Sequence, residues 1–131
     1  GAEVRSLSVD QIISDFQRDV GYFKINIKGD VQGSLFLFFE FKQMLLFSAL
    51  MLLQKSVPNK SPSEMEHKEI QTLEALAHQG GLAMVRHIRQ QGLLDVALES
   101  SSVHLLEEKQ LHELKQVIPE GLCRPHFPGI R

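Results

Sequence analysis

The sequence predicts an α+β fold, an antiparallel sheet packed by a long helix and shorter helices. Three observations carry that prediction. Residues 61–91 hold the longest helical pattern in the chain, residues 22–27 and 34–41 read as strands on either side of a glycine-bearing turn, and period-two alternation returns at residues 94–100, after the helix.

In chain order, residues 8–16 begin with Ser8 as a cap and Gln11 three residues on. Val9, Ile12, Ile13 and Phe16 supply an apolar face, so a short helix is expected, ended by Gly21. From Tyr22 to Ile27 the period changes to two: Phe23, Ile25 and Ile27 alternate with Lys24 and Asn26, the mark of a half-buried strand. Gly29 and Gly33 bracket a turn, and residues 34–41 complete a hairpin. Within that second strand, residues 35–39 are apolar without alternation, which predicts cover on both faces, from helices or from a second subunit. Residues 43–55 are rich in leucine and methionine and predict a buried helix on the sheet, followed by a loop through Pro58.

The long helix is announced at both ends. Ser61, Pro62 and Glu64 form a capping pattern, repeated by Ser63 and Glu66, and Gly92 is placed to end the last turn. Ile70, Leu73, Ala77, Gly80, Met84 and Ile88 recur at three- and four-residue steps and predict the core stripe, widened by Leu76 and Ala83. Glu64, Glu66, Lys68 and Glu69 at the start and Arg86, His87 and Arg89 at the end bring charge to the two ends, with carboxylates predominating at the first and cations at the second, as the macrodipole favours. The Gly80-Gly81 pair, costing about 2 kcal/mol against alanine in a continuous helix, implies close packing, a kink or a break. Beyond the helix, Leu94, Val96 and Leu98 alternate as a third strand, residues 100–104 continue it or turn, and residues 107–116 predict an amphipathic helix burying Leu111 and Leu114. An irregular tail follows Pro119.

A length of 131 residues is that of one ordinary domain, and the whole of 1–131 is expected to form one. Interspersed charges with a net of -2 offer no basic stripe for nucleic acid and no polybasic run for a membrane surface. Residues 35–53 are the most hydrophobic region, but Glu40, Lys42 and Gln43 interrupt it, so no transmembrane helix is expected. One cysteine, Cys123, excludes an internal disulfide framework and fits a reducing compartment. No charged-then-apolar leader is read at the N-terminus, and the expected location is cytoplasmic.

No intact catalytic, metal or nucleotide motif is present. Glu74 and His78 are four apart on one helical face, but a zinc site needs three or four ligands, and an exposed ion pair is the expected outcome. Cys123 and His126 have ligand spacing without a second pair. The Gly29–Gly33 stretch lacks the lysine and following helix of a phosphate loop, and Ser100, Ser101 and Ser102 do not sit in a nucleophile elbow. No cofactor and no metal are expected.

The order of elements resembles the CheC/CheX-like domains of bacterial chemotaxis. The likeness runs through the hairpin Lys28-Gly29-Asp30-Val31-Gln32-Gly33-Ser34-Leu35-Phe36-Leu37, the helix ending Ala49-Leu50-Met51-Leu52-Leu53, and the long helix containing Leu76-Ala77-His78-Gln79-Gly80-Gly81. The resemblance implies an α+β fold, pairing through sheets, and dephosphorylation of a response-regulator receiver by a glutamate and an asparagine spaced E-x-x-N on the exposed face of the long helix. Here that pair is degenerate. One register puts Ala75 at the glutamate and His78 at the asparagine; the other keeps Glu74 and puts Ala77 at the amide. Gln71 and Glu74 offer an amide and a carboxylate in reversed order.

The expectation is a signalling module that binds a receiver domain or a homodimer partner, with weak or absent phosphatase activity and with Glu74, His78 and Gln71 as the candidate site residues. The alternative comes from residues 62–88, which also look like the closing helix of a GAF sensor domain. That reading places a small-molecule pocket beside Met44, Leu45 and Met51.

Overall fold

The structure, a computed structural model, describes residues 19–92 and 94–113. Strand β1 (Val20–Gly29) pairs antiparallel with β2 (Gly33–Glu40) on one side and with β3 (Val96–Leu106) on the other, giving the order β2-β1-β3. Two helices, α1 (Phe41–Met51) and α2 (His67–Gln90), lie on one face of this sheet, and short 3-10 turns occupy Pro62–Glu64 and Glu108–Glu113. The expected α+β class with a long helix on an antiparallel sheet is the observed one. The short helix expected at residues 8–16, Leu114, the tail beyond Pro119 and the Cys123/His126 pair lie outside the described residues.

The alternation read in β1 is what aims the core. Phe23, Ile25 and Ile27 face the helices and join Met44, Leu73, Ala77, Val85, Ile88 and Val96 in one buried cluster. Gly21 shares that side and leaves the space that the Met44 thioether fills. On the sheet's other side β1 presents Val20, Tyr22, Lys24 and Asn26, of which Val20 and Tyr22 are also buried. As the missing alternation in residues 35–39 requires, β2 is half-buried along both faces. Leu35, Leu37 and Phe39 pack on the core, while Phe36 and Phe38 stand beside Tyr22 on the outer side.

Several boundaries differ from expectation. Strand β1 begins at Val20, so Gly21, expected to end a helix, lies within the strand and pairs with Phe39. The third strand runs to Leu106 rather than Ser100. Its register slips at Glu99: Asn26 pairs with Ser100, but Ile27 pairs with Leu98. This bulge moves the core-facing set from even positions, Val96 and Leu98, to odd ones, Val103 and Leu105, so a single alternation cannot be followed through it. The helix expected at residues 43–55 is the shorter Phe41–Met51, and the expected helix at 107–116 is a 3-10 turn that buries Leu111.

The long helix begins in two stages. The Glu64 carboxylate accepts from the Ser61 N–H at 3.0 Å in the 3-10 turn, and Glu69 then accepts from the Glu66 N–H at 2.9 Å to start α2. The side chains it buries are Glu69, Leu73, Ala77, Gly81, Val85 and Ile88; Ile70, Gly80 and Met84 are half-buried and Ala83 is exposed. The core stripe is therefore rotated from the expected one through Gly80 and Met84. Gly81 is the reason: a Cβ there would lie 3.1 Å from the Leu98 side chain and 3.2 Å from that of Ile25, so its absence lets the helix settle on the sheet. The helix stays continuous across both glycines and ends with Gly92 in the left-handed region (φ 71°).

The end of α1 is unusual. Leu53 N–H donates to the Leu50 carbonyl and Gln54 N–H to the Ala49 carbonyl, the paired bonds of a Schellman ending, whose left-handed position normally takes glycine. Leu53 occupies it, at φ 55°, where an L side chain costs about 1–2 kcal/mol. At the opposite end of the sheet the hairpin turn is tied to the start of β3. Asp30 N–H donates to the Asp95 carbonyl at 3.0 Å, and Asp95 N–H donates to the Asp30 carboxylate at 2.8 Å. Gly29, at φ 121°, is needed at this junction, since a side chain there would meet the Asp95 carbonyl oxygen at 2.5 Å.

Candidate functional site on the long helix

Because Leu73, Ala77, Gly81, Val85 and Ile88 hold α2 against the sheet, the positions between them face outward. Gln71, Glu74, Ala75, His78 and Gln79 are all exposed. Gln71 and Glu74 are one helical step of three apart, as are Ala75 and His78, and each pair therefore occupies neighbouring surface. Glu74 and His78 do not form the expected ion pair among the described residues.

The geometry decides between the two registers of the degenerate pair. Ala77 has no exposed surface and packs in the core, so the register that keeps Glu74 buries its amide position. Ala75 and His78 are the three-apart pair with both members outside. The exposed pair thus has a methyl group at the position where the resemblance implies a carboxylate, and an imidazole, whose donor and acceptor sit on separate ring nitrogens, where it implies an amide.

The helix that carries this face is anchored at its start by a group whose burial the sequence reading missed. Glu69 is 1% exposed, and its Oε1 accepts from Lys60 Nζ at 2.8 Å as well as from the Glu66 N–H. Burial pushes the Glu69 carboxyl up, but these two hydrogen bonds and the positive charges of Lys60 and Lys68 outweigh it and hold the group below the usual carboxylate range. The signal was present in the spacing, because position 69 continues the row 73, 77, 81, 85 backwards by one turn.

A second feature not anticipated lies on the sheet's outer side. Tyr22 stacks on His104 with ring centroids 4.7 Å apart, His104 Nε2 is 2.8 Å from the Ser102 hydroxyl, and Asn26 donates to Ser100 at 2.8 Å and accepts from Ser34. Burial, with Lys24 nearby, pulls the His104 imidazole below its ordinary value, and burial raises the Tyr22 phenol. Ser100, Ser102 and His104 come from alternate positions of β3 beyond the bulge, where the sequence pattern had been lost.

Of the residues beside which the alternative reading places its pocket, Met44 and Leu45 are buried and Met51 is half exposed. A surface depression of about 310 Å³ lies elsewhere, lined by Pro62, Ser63, Leu105, Glu107, Lys109 and Gln110. Among the described residues no three His, Cys, Asp or Glu side chains converge as metal ligands would, and no helix is long and apolar enough to cross a membrane.

Taken with the degenerate face on α2, this arrangement is an α+β fold of the CheC/CheX type. The solved structure of FliY from Thermotoga maritima shares it: the two superpose with a TM-score of 0.67 over 95% of this chain and 59% of that one, at 11% sequence identity. At that identity the likeness is one of fold, and this chain spans 59% of the length of FliY. No family model matches the sequence. No curated protein matches it either.

Proposed function

We propose that this chain is a signalling module of the CheC/CheX kind that binds a response-regulator receiver domain through the exposed face of α2 around Gln71, Glu74 and His78, with little or no phosphatase activity. The observation that carries the reading is the outward row on the long helix of a fold shared with FliY. Receiver dephosphorylation by this kind of face needs a carboxylate to fix a regulator side chain and an amide to orient the attacking water. The pair Ala75/His78 supplies neither in that form, so the contribution of positioning to the rate is lost while a binding surface remains.

The test uses a phosphorylated receiver domain from the same organism. The native chain is expected to leave its dephosphorylation rate nearly unchanged. Ala75→Glu combined with His78→Asn, both at exposed helical positions, is expected to accelerate it by about a hundredfold, within the range that a correctly placed pair contributes. Strong acceleration by the native chain that Glu74→Ala abolishes would instead identify Glu74, with Gln71 or His78, as a rearranged active pair. Failure of the restored pair to bind the receiver at all would remove the α2 face as the docking surface.

We also propose that two copies pair through the outer side of the sheet. The supporting feature is the half-buried Phe36 of β2 and His104 of β3, which flank the buried Tyr22 of β1 on the side of the sheet opposite α1 and α2.

A further inference from the structure

We infer that the outer ridge of α1 and the turn after it form a peripheral docking surface for an anionic lipid headgroup layer. The inference is independent of the reading of the α2 face. Leu46 and Leu50 lie one turn apart on the solvent side of α1, 42% and 62% exposed, and Leu53, just past its end, is 89% exposed. Met51 and Val57 extend the same surface, half exposed. Leu53 is the decisive residue. Its backbone holds the left-handed position at the end of α1, which glycine fills without strain, and its side chain contributes almost nothing to the protein's own packing. Folding alone disfavours leucine at this position, and an external apolar phase gives the side chain somewhere to go.

The charge around the ridge names the occupant. Residues 41–63 contain Lys42, Lys55 and Lys60 and not one aspartate or glutamate, in a chain whose net charge is -2. Lys60 is engaged by Glu69, whereas Lys42 and Lys55 are exposed and in no ion pair among the described residues. Lys42 falls on the same stripe as Leu46 and Leu50, and Lys55 follows Leu53 by two residues. Aliphatic side chains with the unpaired Lys42 and Lys55 near either end, and Glu40 at the N-terminal margin, match a negatively charged bilayer surface, which takes the apolar tips below the headgroups and the ammonium groups at them.

A second copy of this chain fits less well, because a self-matched contact brings the cations of both ridges together against a single exposed carboxylate, Glu40, from each copy. A protein groove fits less well too, since the ridge has none of the Trp, Tyr or Arg anchors that dominate such interfaces. No helix among the described residues is long and apolar enough to span, so the contact is at the surface.

The experiment is co-sedimentation of the full chain with vesicles of mixed phosphatidylserine and phosphatidylcholine, and with vesicles of phosphatidylcholine alone. The expected result is binding to the mixed vesicles that weakens as salt is raised, and little binding to the neutral ones. Leu53→Gly is expected to lower partitioning about tenfold, the value of one partly inserted leucine, without lowering the melting temperature. Lys42→Gln with Lys55→Gln should lower it about twentyfold, at about fivefold per lysine.

The glycine variant relieves backbone strain, so loss of binding cannot be put down to misfolding. The inference is overturned if Leu53→Gly binds as the native chain does, or if neutral and anionic vesicles bind equally. It is also overturned if no vesicle binds at physiological salt, which assigns the ridge to a protein partner. A dimer in light scattering that Leu53→Gly abolishes assigns it to a second copy and overturns it as well.

Discussion

One oxygen of the Glu69 carboxylate takes two hydrogen bonds and the other, equally buried, has no partner among the described residues. Ionised Glu69 is therefore held in place by Lys60 and the Glu66 N–H alone. Its depressed value fixes the sign of the pH dependence. The stability it contributes is present above the unfolded value for glutamate, about pH 4.3, and is lost as pH falls through the lower folded value. Lys60→Met is expected to lower the melting temperature at neutral pH, because it strands a buried charge, and to lower it less at acid pH, where Glu69 is protonated. Thermal unfolding of both proteins as a function of pH measures this. A melting temperature equally affected at every pH would show that Lys60 acts by packing and not by charge. At this scale the sequence named the right exposed residues on the helix, Gln71, Glu74 and His78, because periodicity places them. It also placed Ala77 on the core side, but it did not show that Glu69, Gly81 and Val85 are buried in place of Ile70, Gly80 and Met84, since that depends on a rotation set by Gly81.

At the scale of the element, α2 shows how two adjacent glycines differ in role. Gly80 has open space around its Cβ position, while Gly81 lies against Leu98 and Ile25. Gly80→Ala is expected to stabilise the protein by about 1 kcal/mol through helix propensity alone. Gly81→Leu forces α2 off the sheet and is expected to destabilise it by about 1–3 kcal/mol or more, as overpacking does. Urea denaturation of the two variants separates the cases; equal effects of either sign would mean that the helix does not approach the sheet at Gly81. The sequence showed the cost of the pair and listed close packing among its possible causes. Which glycine makes the contact was misread, because the three- and four-residue steps were carried through Gly80 and Met84, whereas the helix buries Gly81 and Val85.

For the whole molecule, the proposed pairing over the sheet's outer side would link assembly to pH. His104 lies between the Tyr22 ring and the Ser102 hydroxyl, with the Lys24 charge acting on it, and burial and that charge keep it neutral below the ordinary histidine value. Pairing of two copies over this surface would bury His104 further, so protonation opposes association. Light scattering is expected to report a dimer near neutral pH whose dissociation constant rises about tenfold as pH falls through the lowered His104 value, with His104→Gln removing the pH dependence. A strict monomer at high concentration would reject the pairing. The missing alternation at residues 35–39 made the covered second face legible in the sequence. The partners of that face were not legible, because they come from β3, whose pattern breaks at the bulge.

The central position of β1 also bears on how the chain reaches its structure. Its pairing with β2 closes a three-residue turn, whereas its pairing with β3 joins distant residues such as Asn26 and Ser100, separated by 74 positions. Closing so long a loop is entropically slow, so the hairpin is available as an early template and the β3 ladder is added only after α2 has brought its two ends together. The Asp30–Asp95 clasp then forms last. Asp30→Ala should speed unfolding while leaving the refolding rate nearly unchanged, and stopped-flow kinetics that showed the reverse would place the clasp in the nucleus.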